Sequence, residues 1–249
     1  MGIIVKSGPE IALMRQAGRI VAQVLEVLKK QVKAGMTSEE LDAIAVREVR
    51  QRGAEPSFYH YHGYPANLCV SINEEIVHGI PDKRVFKEGD IVSIDFGCIH
   101  KGFQGDSALT VGIGRVTPKA RELIETTEGA LRAGIAASRA GKHLGDIGYA
   151  VQQYVESRGF TVIREYTGHG IGRDMHEDPQ IPNFGAPGQG PMLRKGMTLA
   201  LEPMVSTGDW RTRVGNNHWT VYTMDGSLAA HFEHTIVITD DSPEVLTAL

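Results

Sequence analysis

Four carboxylates stand in apolar, strand-like runs, and this constrains the chain more than any other feature. Asp95 interrupts Ile91-Val92-Ser93-Ile94-Asp95-Phe96, Asp106 precedes the run beginning at Ala108, Glu202 ends Met197-Thr198-Leu199-Ala200-Leu201, and Glu233 heads His234-Thr235-Ile236-Val237-Ile238. A buried isolated carboxylate is costly, so acids in such runs need a cation, a shared proton or a water-filled site. If His100-Lys101 is a two-residue hairpin loop, Asp95 falls opposite Asp106, with Cβ atoms about 5 Å apart on one face of a sheet. Taken alone, Asp106 beside Gly105 also fits an exposed turn aspartate, but Asp95 does not. Taken together, the four acids predict a collective site.

Around them the chain divides into helical and extended segments. Ser7-Gly8-Pro9-Glu10 is a capping box, followed by apolar residues at helical spacing from Ile11 to Leu28, with a stop expected near Gly35. Thr37 and Glu40 form a second box, opening a helix that ends at Gly53. Thr117-Pro118 starts a third helix, and a fourth runs through Ile147, Val151 and Val155 to Gly159. Strand-like runs are expected at 68–72, 91–96, 108–113, 160–165, 198–202, 220–223 and 233–238. Helices that come in pairs, rather than alternating with strands, favour an α+β fold with a largely antiparallel sheet. A single domain spanning 1–249 follows from the length and the lack of a linker.

Composition excludes several classes of function. The net charge is −4 and no block of Lys or Arg occurs, so a nucleic-acid partner is not expected. No segment reaches the roughly 20 apolar residues that span a bilayer, and the N-terminus lacks a secretory pattern; no membrane partner and a cytoplasmic location are expected. Two cysteines, Cys69 and Cys98, lie in apolar runs and are expected to be reduced and buried. Nucleophilic-serine, phosphate-loop and dinucleotide motifs are absent.

Among ten histidines, His169, flanked by glycines, and His78 are the strongest candidates for a site, while His60, His62, His100, His143, His218 and His231 read as structural or surface residues. Carboxylates with one imidazole and no thiolate suit divalent Mn, Fe, Co or Zn. Bridging carboxylates would imply two ions, the arrangement that activates water in hydrolases.

Six motifs, NEEIVHGIP (73–81), DIVSIDFG (90–97), GDSALTVG (105–112), GHGIG with HEDP (168–179), LALEPM (199–204) and EHTIVIT (233–239), resemble in content and order the short bacterial-like type I methionine aminopeptidases, of the pita-bread metallopeptidases of family M24. The resemblance implies a curved sheet with pseudo-twofold symmetry backed by two helix pairs. It implies two divalent ions held by Asp95, Asp106, His169, Glu202 and Glu233, with Asp106 and Glu233 bridging. It places His78, His176 and Glu202 in catalysis. Tyr61, Tyr64, Cys69 and Trp219, together with Phe58 and Met175, would line the methionine pocket. Phe58, Asp174 and Met175 differ from the residues usual there, which bears on fine specificity. The implied activity is removal of the initiator methionine from nascent polypeptides with a small second residue, by a monomer able to meet its substrate at the ribosome. The competing readings are a broader or Xaa-Pro-type aminopeptidase, disfavoured by the missing extra domain, and a non-catalytic peptide-binding relative, disfavoured because all five ligands are present.

Overall fold

The helix starts are fixed by side chains that satisfy their first amide groups. In the computed structural model, which describes residues 2–249, the Glu10 carboxylate accepts from Ser7 N at 3.0 Å, and Glu40 accepts from Thr37 N at 2.8 Å. Met1, part of the expected domain 1–249, lies outside the described residues. These caps open α1 (Gly8–Gln31) and α2 (Ser38–Gln51). Helix α1 stops short of the expected Gly35, because Val32 already turns extended at φ −62°, ψ 129°. The first half continues through β1 (Glu55–Pro56), a 3₁₀ turn at Tyr61–Gly63, β2 (Cys69–Ile72), β3 (Glu75–Val77), β4 (Ile91–His100) and β5 (Phe103–Gly112).

Thr117 caps α3 (Pro118–Ala137), its hydroxyl accepting from Ala120 N at 3.2 Å, and Asp146 accepts from His143 N at 2.7 Å to open α4 (Leu144–Glu156). Strands β6 (Thr161–Val162), β7 (Thr167–Gly170), β8 (Glu177–Pro182), β9 (Thr198–Leu201) and β10 (Met204–Ser206) follow. The chain ends with β11 (Thr212–Val214), β12 (Val221–Thr223), β13 (Ala229–His231), β14 (Glu233–Val237) and β15 (Glu244–Val245). The extended run expected over 160–165 is paired only at β6, against β10.

The main sheet runs β1-β4-β5-β14-β9-β7-β8, with β2 on β4 and β15 on β14. Every pairing among the described residues is antiparallel. Two halves meet at β5 and β14, where Glu233 stands opposite Ala108 and His234 opposite Ser107. In the first half, Val92, Ile94, Phe96 and Cys98 of β4 point into a core shared with α1 and α2. The alternate residues, Ser93, Asp95 and Gly97, therefore face the other way. In the second half, α3 and α4 supply Leu131, Leu144 and Ile147 to a core with Leu199, Leu201 and Ile236.

The β4–β5 register corrects the hairpin count. His100 pairs with Phe103, so the loop is Lys101-Gly102, with φ of 50° and 79° at the two positions. A two-residue hairpin loop with both residues left-handed matches the twist of the strands, and Gly adopts it without strain. Asp95 thus opposes Ala108 and Asp106 opposes Gly97. The displacement is two residues in register, so both acids stay on the same face, as diagonal rather than direct neighbours.

No helix among the described residues is long and apolar enough to cross a membrane.

Candidate metal centre and pocket

The register alone collects the five candidate ligands. Asp95 pairs with Ala108, which pairs with Glu233, while His169 pairs with Ala200, which pairs with Thr235. Asp106 lies two residues from Ala108, Glu233 two from Thr235, and Glu202 continues β9 two residues beyond Ala200. Side chains alternate with a period of two, so all five point to one face across the seam between the halves. The seam is tightened locally: Thr235 Oγ1 donates to Asp106 O at 2.8 Å and accepts from Asp106 N at 3.2 Å.

The resulting cluster is deeply buried. Asp106, His169 and Glu233 are 4%, 5% and 2% exposed, and one ligand atom from each lies within 4.8 Å of the others. This rules out the exposed-turn reading of Asp106. Glu202 Oε1 is 3.6 Å from His169 Nε2. Asp95 Oδ1, Asp106 Oδ1 and Glu233 Oε1 are buried without a hydrogen-bond partner among the described residues. His169 Nδ1 donates to Gly170 O at 2.9 Å; a carbonyl only accepts, so the proton sits on Nδ1 and the Nε2 lone pair faces the carboxylates.

Electrostatics agree with the geometry. Burial pushes the Asp106 carboxyl up to about 7. Asp95 rises well above the carboxylate range through burial, then the charges of Asp106 and Glu202. Glu202 and Glu233 rise likewise, through burial first and then their acidic neighbours. Burial lowers His169 to about 3, leaving it neutral with a free lone pair. Orphaned carboxylate oxygens beside a neutral imidazole are the donor set of a divalent cation, and such a cation removes the mutual repulsion. The residues fit divalent metal.

A pocket of about 240 Å³ opens onto this cluster. It gathers all thirteen site residues singled out from sequence: the four acids and one imidazole above, His78, His176, Phe58, Tyr61, Tyr64, Cys69, Met175 and Trp219. His62 is the one further lining residue, and it had read as background. Its charge helps depress His176, after burial. Tyr64 packs edge-on against Trp219 with ring centroids 5.2 Å apart, and its hydroxyl donates to Gly79 O at 2.9 Å. Phe58 and Met175 converge on Gly97: a Cβ there would lie 2.9 Å from Phe58 Cε1, 3.0 Å from Met175 Cε and 3.2 Å from Asp106 Oδ1. Cys69 is buried and free, directly opposite Asp95, and burial raises its thiol. Cys98 is also buried and free.

The two remaining histidines flank the cluster. The His176 ring is 4.2 Å from that of His169, and its Nδ1 lies 2.7 Å from Tyr61 Oη. The contact serves either direction; when the phenol donates, the imidazole carries its proton on Nε2. His78 takes a left-handed backbone at φ 60°, and burial lowers it to about 4. Asp174 is exposed and lines a neighbouring groove that shares His169 and His176 with the pocket. Sequence reasoning also passed over His231, which is 2% exposed with Nε2 3.8 Å from Glu202 Oε2. Its one visible signal was its place two residues before Glu233 in the same apolar stretch.

Residues 12–240 match metallopeptidase family M24. The chain belongs to this family. It is 50% identical over 246 residues to the methionine aminopeptidase of Clostridium acetobutylicum, covering 98% of each chain. It is 49% identical to methionine aminopeptidase 1 of Bacillus subtilis, covering 98% of this chain and 99% of that one. The crystal structure of the methionine aminopeptidase from Thermotoga maritima superposes with a TM-score of 0.98 at 47% identity over the whole of both chains. A prolidase from Pyrococcus furiosus shares the fold at 21% identity, with a TM-score of 0.81 over 99% of this chain and 66% of that one. The architecture is thus the M24 pita-bread fold, with a helix pair behind each half of the sheet.

Proposed function

We propose that this chain is a methionine aminopeptidase that removes the first residue of nascent proteins when the second is small. The observation that carries this reading is one pocket in which an apolar, sulfur-containing wall meets a floor of buried carboxylates. Phe58, Tyr64, Cys69, Met175 and Trp219 suit an unbranched thioether side chain, and the floor lies where its peptide bond would end.

Asp95, Asp106, His169, Glu202 and Glu233 would hold two divalent ions, Mn, Fe, Co or Zn, with Asp106 and Glu233 shared between them. Bound there, the ions supply Lewis acidity, acidifying water and polarising a carbonyl. The acidic floor also attracts the free α-amine, which restricts cutting to the first residue. Glu202 accepts the proton of the attacking water and passes it to the departing amide nitrogen. His176, in the tautomer that accepts from Tyr61 at Nδ1 and carries its proton on Nε2, donates to the carbonyl oxygen as negative charge develops. His78 contacts the amide nitrogen after methionine, and crowding there selects small second residues. The substrate is the N-terminus of a nascent chain in the cytoplasm, met at the ribosome by a monomeric enzyme.

The test is methionine release from Met-Gly-Met-Met, Met-Leu-Met-Met and N-acetylated Met-Gly-Met-Met by Co- or Mn-supplied protein. Cleavage of the first peptide alone is expected. Cleavage of both free peptides would mean a broader aminopeptidase, and cleavage of the acetylated one would remove the role assigned to the α-amine.

A further inference from the structure

The Glu202 carboxylate lies between two imidazoles, and only one of them belongs to the ligand set. Its Oε1 faces His169 Nε2 at 3.6 Å, and its Oε2 faces His231 Nε2 at 3.8 Å. His231 ends β13, and its backbone is held on both sides by one hydroxyl: its N–H donates to Thr110 Oγ1 at 2.9 Å, and its carbonyl accepts from Thr110 Oγ1 at 2.7 Å. That hydroxyl is in turn 2.9 Å from Ser93 Oγ. The residue is therefore anchored rigidly, with its ring aimed inward. Its Nε2 is buried and has no hydrogen-bond partner among the described residues. A buried imidazole nitrogen needs a partner, and the carboxylate oxygen 3.8 Å away can become one with a side-chain shift of less than about 1 Å.

We propose that His231 is a positioning residue for Glu202: its Nε2–H donates to Glu202 Oε2 and fixes the carboxylate so that Oε1 stays turned toward His169 and the pocket. Carboxylates that hold metals are commonly oriented by such outer partners, whose loss weakens affinity or activity about 10- to 100-fold. The inference rests on the reading that Glu202 serves the metal centre and the proton transfer.

The experiment compares H231L, which removes the donor at similar bulk, with H231Q, whose amide N–H restores one. Mn²⁺ affinity is measured by calorimetry, and kcat and KM are measured with Met-Gly-Met-Met. H231L should bind Mn²⁺ about 10- to 100-fold more weakly and lose kcat with little change in KM, and H231Q should recover most of both. Equal impairment of the two variants, or none in either, overturns the proposal. E202A separates this from the underlying reading: if E202A binds metal and cleaves like the parent, the assignment of Glu202 has failed rather than that of His231. Should H231L not fold, the tautomer decides. Nitrogen NMR of the Zn-loaded parent should find His231 protonated at Nε2, and a bare Nε2 overturns the proposal.

Discussion

Asp106 joins burial, charge and stability in one side chain. Its carboxyl is raised from an ordinary 3.8 to about 7, so the folded, metal-free protein holds that proton more tightly than the unfolded chain does. The stability this proton confers is complete below about pH 4 and is lost as the pH rises through about 7. The buried histidines act in the opposite sense: His169 is depressed to about 3 and His78 to about 4, and what they contribute is lost as the pH falls from 6.5 through those values. Metal-stripped D106N should therefore be more stable than stripped parent at pH 8, by about 2–4 kcal/mol, and indistinguishable near pH 4 in denaturant titrations. Supplied with metal, it should lose about 100-fold or more in kcat. A stripped variant less stable than the parent at pH 8 would contradict the burial of an unpaired charge. At this scale the sequence was legible where a residue type clashed with its surroundings: Asp95 in an apolar run, His169 between glycines. It was illegible where the surroundings came from far away. Asp106 beside a glycine fits a turn until β14 covers it, and His231 stands out only once Glu202 is brought within 3.8 Å.

The β4–β5 hairpin carries two of the five candidate ligands, and it depends on Gly97 opposite Asp106. A methyl group there would meet Phe58, Met175 and the Asp106 carboxylate at 2.9–3.2 Å, closer than ordinary packing. Gly97→Ala should lower kcat/KM for Met-Gly-Met-Met by about 10-fold or more, since small displacements at a reacting centre are costly, while circular dichroism stays unchanged. An active G97A would mean that the pocket wall yields freely. Helices were readable at this scale because Ser7, Thr37 and Thr117 cap them locally. The hairpin was misplaced by one position on each strand, since only the twist-matched turn assigns the loop to Lys101-Gly102. Strands β7 and β8 were not expected: Thr167–Gly170 is half glycine and shows no alternation, and its pairing comes from β9 and β8 rather than from its own propensity.

Across the whole molecule, the site is the seam. Asp95 and Asp106 come from the first half, and His169, Glu202 and Glu233 from the second, so the repulsion among the acids sets the two halves against each other along β5 and β14. A divalent cation reverses that sign, which ties metal binding to the stability of the joined halves and to catalysis alike. Paired helices and an antiparallel sheet were readable from element order, but the seam was not, because it joins residues more than a hundred positions apart. The most direct test is a titration of Mn²⁺ into metal-stripped protein at neutral pH, with bound metal and methionine release from Met-Gly-Met-Met followed in the same sample. Release should be absent without metal and rise as the sites fill. Undiminished release from stripped protein, or filled sites with no release, would contradict a buried carboxylate cluster that works by holding metal.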